Sequence, residues 1–390
     1  MTIETAAPSG SGSGGGAPQL SFPRDIFAAL SPAPFLLAHL DDNQTSTSTT
    51  STKNTSTATR PNGRAPTEAR TPTINASSLS HCNGSAVVRL GDTAVVAGVR
   101  AELLRYADVP NPPRYEDFPG GDMIRGGEDG GDDDDNDEEE EEEEQAGEAW
   151  DDRDELERLG LLVPNVELAT GATPNVMPGA PPGAEAQGLT ARLVSALAAS
   201  RVVRGRDLRV VGEVVAEEGE AKRREVKAYW TLYVDVLFIS LDGNAWDAAW
   251  GAVVAALRDT LLPKAWWDID LGAVVCSEKV EEARALRLRG APVAVSCAVF
   301  EPGKGRGKGG QDEEQERAWV LADPDAFEEQ NCQEVVSVLL DVVNGKSVLY
   351  GIEKSGGGVV GRDVLHGVVK LAEERWKAWD QASAEAGIKG

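Results

Sequence analysis

Five arginines stand near the ends of predicted strands and helices, and their chemistry is that of phosphate binding. A guanidinium is planar and permanently charged, so it donates paired hydrogen bonds to a phosphate whatever base the phosphate carries. Surface arginines are common, and the ordinary alternative is that these side chains are solvated or paired with neighbouring carboxylates. The five are Arg100, Arg105, Arg201, Arg204 and Arg206.

The histidines and cysteines do not form a catalytic or metal-binding pattern. The four cysteines are far apart and contain no CxxC pair, which argues against a zinc ribbon. The three histidines are isolated and give no support to a Ser-His-Asp triad. The sequence therefore predicts no metal and no cofactor. These residues are Cys82, Cys276, Cys297, Cys332, His39, His81 and His366.

Two further absences bear on location. The sequence has no signal peptide, and none of its apolar runs approaches the length of about 20 residues that spans a bilayer. With cysteines this sparse, we expect a protein of a reduced intracellular compartment and no contact with a membrane.

The net charge of −27 is concentrated in one stretch of the chain. About 20 acidic residues lie between Glu128 and Glu157, against one arginine. Like charges this dense cannot pack, so residues 107–159 are predicted to be a disordered insertion. The ordinary interpretation is a solubilising loop. The alternatives are a segment that repels or mimics nucleic acid, or one that docks a basic partner.

Valine-rich runs separated by turn residues predict a sheet in the first half of the chain. The branched side chain of valine favours strands, and Asn83-Gly84 and Gly91-Asp92 are typical of tight hairpin turns. Residues 228–242 are apolar on both faces, as in a buried central strand. The other strands are predicted over residues 73–79, 85–90, 93–102 and 161–168.

Helices with an apolar stripe are predicted beside this sheet. One covers residues 185–200, and a second is capped by Asn244 and runs to Leu262, where Pro263 ends it. Residues 21–40 are predicted to form a short helical arm, between a Gly/Ser-rich start and a Ser/Thr tract over residues 41–59.

The second half repeats this arrangement on a smaller scale. Strands are predicted over residues 291–300 and 318–324, a hairpin across Asn344-Gly345, and a last helix over residues 361–386. Each half therefore has a sheet with one or two helices, which favours the α+β class.

Three short motifs, in order, resemble a known family. They are Arg60-Pro61-x-Gly63-Arg64, then Arg70-Thr71, then the run GSAVVRLGDT that begins at Gly84. Together they resemble ribonuclease PH-like proteins, in particular the ring subunits of the eukaryotic RNA exosome. The resemblance implies the ribonuclease PH fold: a ribosomal protein S5 domain 2-like βαβ core followed by a smaller C-terminal α/β domain. The implied division is an extension over residues 1–59, domain 1 over 60–265 and domain 2 over 266–390.

The resemblance also implies that this chain is not an enzyme, because three of the positions that serve catalysis in the family differ here. Glu185 stands where the enzymes have a phosphate-binding arginine, and a carboxylate there would repel phosphate. Trp246 follows the Asp-Gly turn in place of a small phosphate-holding residue. Asp323 matches one of two family aspartates, whereas Glu334 stands near the other. The LADP motif and the glutamates that follow it resemble the inactive half of exosome rings, so we expect Asp323 to cap a turn.

As a ring subunit, the chain would bind other ribonuclease PH-like exosome subunits and a cap subunit, and RNA would pass through the channel that they enclose. The five arginines named above are then the candidates for RNA contact. The resemblance implies a location in the nucleus and nucleolus and also in the cytoplasm. Two alternatives remain: an active or composite-site phosphorolytic 3′–5′ exoribonuclease, and an acidic scaffold unrelated to RNA.

Overall fold

The computed structural model describes residues 23–41, 58–110, 152–179, 181, 183–214, 223–301 and 318–388. The disorder predicted for the N-terminal stretch, the Ser/Thr tract and the core of the acidic insertion falls on residues outside these ranges. The chain divides into two units, Met1–Gly63 and Arg64–Gly390, which are described separately.

The first unit contains the predicted helical arm. Helix α1 (Arg24–Leu30) and helix α2 (Pro32–Asp41) follow each other with only Ser31 between them. The rings of Phe27 and Phe35 meet edge to face at 5.6 Å between centroids, and the Arg24 guanidinium lies over the Phe35 ring. Aromatic packing of this kind fixes the angle between the two short helices.

The second unit begins with a six-stranded sheet. Its strands are β1 (Pro72–Ala76), β2 (Gly84–Leu90), β3 (Thr93–Arg105), β4 (Leu162–Leu168), β5 (Arg209–Val214) and β6 (Arg223–Ser240). The order is β1-β2-β3-β6-β4, and β5 also pairs with β6. All pairs are antiparallel except β4 with β6, which is parallel. The predicted central strand is confirmed as β6, where Leu232, Val234 and Phe238 are fully buried.

Helices cover one face of this sheet. They are α4 (Ala184–Ser200) and α5 (Ala245–Arg258). Helix α3 (Asp152–Leu159) packs on a 3₁₀ turn at Gly205–Leu208, and a second 3₁₀ turn lies at Tyr106–Asp108. Helix α5 packs on β1, β2, β3 and β6, and 11 of its 14 residues are buried. A helix that is apolar almost all round lies in the interior of a domain. On the other side, α5 contacts the second sheet.

Small paired segments connect the two sheets. Strand β7 (Leu261–Leu262) pairs with β10 (Arg284–Ala285), and β8 (Ala265–Asp268) pairs with β9 (Ala273–Cys276). A 3₁₀ turn at Val280–Glu282 precedes β10.

The second sheet has four antiparallel strands. They are β11 (Val293–Phe300), β12 (Trp319–Ala322), β13 (Glu334–Val343) and β14 (Lys346–Ser355), in the order β12-β11-β13-β14. The hairpin across Asn344-Gly345 is confirmed, since both residues have the positive φ angles of such a turn. Helix α6 (Ala326–Asn331) follows β12, and helix α7 (Arg362–Glu385) packs on β11 and β13. The predicted α+β class is confirmed.

In the first half of the chain, two predicted boundaries and one predicted turn were wrong. Helix α5 ends at Arg258, four residues before Leu262, because Asp259 binds the backbone N–H groups of Ser77 and Ser85 and so holds the chain in place. Residues 152–159 are helix α3 rather than irregular insertion, because Glu155 forms a buried ion pair with Arg209. None of the described helices is both long and apolar enough to cross a membrane.

The third error concerns Asn83-Gly84, which is not a tight turn. The connection between β1 and β2 covers residues 77–83, and neither Asn83 nor Gly84 has a positive φ. The Asn83 side chain accepts from the Ala101 N–H and donates to the Leu261 carbonyl. A Cβ on Gly84 would lie 2.4 Å from Thr260 Oγ1 and 2.5 Å from the Ala256 carbonyl oxygen. Gly84 is therefore required for the close approach of β2 to the end of α5.

Replacing Gly84 with alanine is expected to lower the free energy of unfolding by about 1–3 kcal/mol, because the backbone of α5 at Ala256 and the Thr260 side chain that follows the helix would have to move. Urea denaturation followed by circular dichroism measures this. The matched control is Gly188→Ala, within α4, where a Cβ meets no atom within 4 Å. There we expect stabilisation by about 0.5–1 kcal/mol. Equal effects at both positions would contradict the packing argument.

Candidate functional site

A buried carboxylate, Asp323, lies at the centre of a polar cluster where β12 ends. It follows β12 directly, has a φ of 50° and is 2 % exposed. Arg70, just before β1, makes a bidentate contact with the Asp323 carboxylate: Nε lies 2.9 Å from Oδ2 and Nη2 lies 2.8 Å from Oδ1. The backbone N–H of Arg70 adds a bond of 2.7 Å, and Arg64 Nη1 lies 3.3 Å from Oδ2.

These contacts decide the charge on Asp323. Burial by itself would raise the pKa of the carboxyl, but the hydrogen bonds and charge of Arg70 outweigh burial and hold the pKa at about 2. Asp323 is therefore an ionised carboxylate near neutral pH. The expectation that Asp323 caps a turn was wrong, since its partners lie in other segments. The residue that caps α6 is Asp325, which forms a capping box with Glu328.

Asn244 joins Asp323 to helix α5. It precedes the helix with a φ of 53°, and its side chain donates to Asp323 Oδ1 at 2.6 Å and to Asp247 Oδ2 at 2.8 Å. The prediction that the Asn244 side chain caps α5 was wrong, because its amide group is used by these two carboxylates. The backbone N–H of Asn244 donates to Glu329 Oε1 at 2.8 Å.

Asp247 is the second buried carboxyl of the cluster. It is 1 % exposed and accepts from the Ser296 N–H and the Ser296 hydroxyl, at 3.0 and 2.8 Å. Burial raises the pKa of Asp247 to about 6 despite the hydrogen bonds from Asn244 and Ser296, and the charge of Asp323 adds to the rise. Asp247 and Asp323 thus lie in one network with pKa values displaced in opposite directions.

This displacement predicts how stability depends on pH. A carboxyl with a raised pKa binds its proton more tightly in the folded state, so folding loses stability as pH rises from about 4 to about 6. Asparagine at position 247 is uncharged; its Oδ1 can accept from Asn244 and from the Ser296 N–H, and its NH2 group can donate to the Ser296 hydroxyl oxygen, whose proton then goes to Ser337. We therefore expect Asp247→Asn to gain about 3 kcal/mol relative to the unmutated chain between pH 4 and pH 7. Urea denaturation at each pH unit tests this, and a difference independent of pH would contradict it.

Glu185 and Trp246, the two residues that the resemblance places at phosphate-holding positions, lie near this cluster. Glu185 is exposed at the start of α4. Desolvation of the Glu329 carboxyl, with the charges of Asp247 and then Glu185, raises the pKa of Glu329 to about 7, although Glu329 as a whole residue is exposed. Trp246 is 6 % exposed, and the Arg192 guanidinium lies 4.2 Å from the centroid of its ring. Trp246 is thus a packed side chain covered by an arginine.

Glu334 lies apart from the cluster around Asp323. It begins β13 opposite Val299, is 4 % exposed and lies against the backbone of Gly356 and Gly358. Among the described residues its Oε2 has no hydrogen-bond partner. The described contacts bring Asp323 together with Asn244, not with Glu334.

The five candidate arginines fall into two groups. Arg100 lies on β3, half exposed, with Nη2 3.5 Å from Asp235 and its guanidinium over the Tyr233 ring. Arg105 ends β3 and pairs with Asp108 at 2.8 Å. The other three follow α4: Arg201 and Arg206 are exposed, and Arg204 is half-buried.

The second group has neighbours that sequence reasoning missed. Val203 bridges to Leu288, and the Arg289 N–H donates to the Val202 carbonyl. The chain segment with Arg284 and Arg289 therefore lies beside Arg201, and both Arg201 and Arg289 line a cavity of about 500 Å³. The close spacing of Arg284, Arg287 and Arg289 in the sequence was the signal that could have identified these neighbours.

Among the described residues, no group of three or more His, Cys, Asp or Glu could hold a metal ion.

Comparison of the sequence with known proteins finds proteins of the kind that the motifs resemble. A model of the 3′ exoribonuclease family, domain 1, matches residues 140–263. The exosome complex component rrp43 of Schizosaccharomyces pombe is 26% identical over 362 residues, covering 93% of this chain and 98% of that protein. The exosome complex component Rrp42 of Aeropyrum pernix is 25% identical over 328 residues, covering 84% and 89%.

Solved structures show the same fold. A chain of the Archaeoglobus fulgidus exosome with RNA bound to the active site matches with a TM-score of 0.55 at 21% identity, covering 92% of this chain and 99% of that one. A chain of an archaeal exosome core matches at 0.51 and 19% identity, covering 92% and 100%. The fold and the similar sequences confirm the resemblance read from the motifs: residues 140–263 match the 3′ exoribonuclease family, domain 1, and the chain is similar in sequence to exosome components and in fold to chains of exosome cores.

Proposed function

We propose that the chain is a non-catalytic subunit of the ring of an RNA exosome, where it binds other ribonuclease PH-like subunits and a cap subunit and helps to form the path of RNA. The assembly is supported by relatives of nearly the same length that are exosome components. The observation that carries the non-catalytic part is the state of Asp323. A general acid must hold a proton near working pH, whereas the pKa of Asp323 is about 2 and both of its oxygens are occupied.

Two neighbouring positions support the same proposal. Glu185 presents a carboxylate, which repels a phosphate nucleophile, and Trp246 puts a buried aromatic side chain where the resemblance expects a small phosphate-holding residue. A phosphorolysis assay tests the proposal, with single-stranded RNA and inorganic phosphate supplied and nucleoside diphosphate release followed. The chain alone is expected to release none. Release by the isolated chain would overturn the proposal.

One observation favours a second candidate, a phosphorolytic site shared with a neighbouring subunit. The pKa of Glu329 is about 7, which suits a group that donates a proton near neutral pH. If this candidate holds, the assembled ring releases nucleoside diphosphates and Glu329→Gln in this chain lowers the rate. If this chain is a non-catalytic subunit, Glu329→Gln leaves the rate of nucleoside diphosphate release by the assembled ring unchanged.

For RNA contact, we propose the five arginines, Arg100, Arg105, Arg201, Arg204 and Arg206. The double variant Arg201→Gln/Arg206→Gln is expected to weaken binding of single-stranded RNA by roughly 5- to 10-fold, and to reduce the slope of log affinity against log salt by about 1.4 for two lost phosphate contacts. Fluorescence anisotropy of the reconstituted ring measures both quantities.

The matched control for this prediction is Arg89→Gln/Arg362→Gln, which removes the same charge from two other exposed arginines. It is expected to change affinity by less than about 2-fold, as for charges more than a Debye length from the RNA. Equal losses in both double variants would indicate a general charge effect and not a contact site.

For location, we propose the nucleus and nucleolus with a cytoplasmic pool, as the relationship to exosome components implies. A fluorescent fusion imaged beside a nucleolar marker tests this, and exclusion of the fusion from the nucleus would contradict it.

A further inference from the structure

Two arginines contact the single carboxylate of Asp323, and a third, from a distant part of the chain, is close enough to act on its charge. Arg64 and Arg70 come from the segment before β1, and both contact the carboxylate directly. Arg375 comes from the middle of α7 and is near enough that its charge lowers the pKa of Asp323. All three are shielded from solvent: the side chains of Arg64 and Arg70 are 14 % and 10 % exposed, and Arg375 is 7 % exposed.

Arg375 has hydrogen-bonding capacity left over. Within the part of the chain that the structure describes, its Nε and Nη2 groups have no acceptor, although the residue is more than nine-tenths buried. A buried guanidinium in this state is unusual, because each unpaired donor has lost its water. Its electrostatic partners are Asp323 and then Asp247, and burial lowers its pKa. A carboxylate has two oxygens, and at Asp323 both are already used by Arg70 and Asn244.

We propose that Asp323 is a built-in occupant of an oxyanion site. In this interpretation, Arg64, Arg70, Arg375 and the Asn244 amide form a cradle for a small oxyanion, and the carboxylate of Asp323 fills it from within the chain. When the carboxylate is removed, inorganic phosphate binds in its place. The cradle uses different residues from the positions at which the family enzymes hold phosphate. The inference does not depend on ring assembly.

The charges and shape of the site support this reading. Arg70 presents a planar fork to Asp323, which is the geometry by which arginine binds carboxylate and phosphate alike. Phosphate has four oxygens, so it can keep the bonds to Arg70 and Asn244 and still accept from Arg375. Entry is from the side of Arg64 and Arg70, whose side chains retain partial exposure.

The test uses the full chain with Asp323→Gly, since glycine accepts the φ of 50° at this position and leaves room for an anion. Thermal unfolding is followed by circular dichroism at pH 7, in chloride and in 20 mM phosphate at equal ionic strength. The variant is expected to unfold at a lower temperature than the unmutated chain in chloride, and phosphate is expected to raise its Tm by about 3 °C. The unmutated chain, with the site filled, is expected to shift by less than about 1 °C.

Two controls separate binding from the general stabilising effect of phosphate on proteins. Asp325→Gly removes the cap of α6, a nearby carboxylate outside the cradle, and is expected to show no phosphate shift beyond that of the unmutated chain. Adding Arg375→Met to Asp323→Gly is expected to abolish the shift. Isothermal titration with phosphate gives the affinity directly.

The outcomes are distinct. A phosphate shift confined to Asp323→Gly and lost with Arg375→Met supports the proposal. No shift, or an equal shift in Asp325→Gly, overturns it. If Asp323→Gly does not fold in chloride, recovery of folded protein in phosphate supports the proposal, and failure in both salts overturns it. None of these results changes the phosphorolysis test of the ring proposal.

Discussion

Replacing Arg70 with methionine is expected to lower the free energy of unfolding by about 3–5 kcal/mol, the range for breaking a buried ion pair by removing one partner. Asp323 is 2 % exposed, and Arg70 supplies three of its hydrogen bonds, two from the side chain and one from the backbone. Methionine fills most of the volume of the arginine side chain, but the Asp323 carboxylate stays buried without the two hydrogen bonds and the positive charge of the guanidinium. The loss therefore comes from the uncompensated charge.

Urea denaturation at pH 7 measures the effect of Arg70→Met. The matched control is Arg89→Met, because the Arg89 side chain is 66 % exposed and its nearest carboxylate oxygen lies 4.0 Å away. It is expected to change stability by less than about 0.5 kcal/mol. The double variant Arg70→Met/Asp323→Asn should recover part of the loss, since it also removes the charge. A loss below about 1 kcal/mol in Arg70→Met would contradict the assignment of a buried pair.

Replacing Trp250 with alanine is expected to lower the free energy of unfolding by about 3–5 kcal/mol, as for other large buried aromatic side chains. Trp250 lies in the middle of α5, is fully buried, and its Nε1 donates to the Pro292 carbonyl at 2.8 Å. Alanine would leave a cavity between α5 and the second sheet and remove the donor to that buried carbonyl. Both effects act in the same direction.

Urea denaturation measures this loss. Unfolding is followed by far-ultraviolet circular dichroism and not by tryptophan fluorescence, because the variants remove a tryptophan. Trp266→Ala is the matched control, because Trp266 lies on β8 and is 39 % exposed. We expect a loss of less than about 1.5 kcal/mol there. If the two variants were equally destabilised, the core position assigned to Trp250 would be wrong.

Most of the sheet could be predicted from the sequence, because local pattern carries strand information. The valine run of β2 and the long apolar run of β6 are each explained by the residues within them. Gly91-Asp92 forms the predicted two-residue turn between Leu90 and Thr93, with a positive φ at Gly91. The Asn83-Gly84 prediction failed because the demand for glycine came from Thr260, which is distant in the sequence.

The cluster around Asp323 could be predicted only in part. Arg70 and Asp323 were both in recognised motifs, yet nothing in the sequence pattern pairs two residues 253 positions apart. Arg375 carried no signal at all, because a single arginine in an amphipathic helix is typical of an exposed face. The end of α5 was misplaced for the same reason: the bonds of Asp259 to Ser77 and Ser85 are long-range, whereas Pro263 is a local signal.

The sequence separation between Arg70 and Asp323 has a consequence for synthesis of the chain. At about 5–20 residues per second, the ribosome adds the carboxylate roughly 13–50 s after the arginine. Helix α7, which contacts β1, is added later still. Until then the start of the first sheet lacks both its counter-charge and its covering helix. We therefore expect nascent chains cut short before Asp323 to be captured by chaperones or proteases, even when every strand of the first sheet has been made.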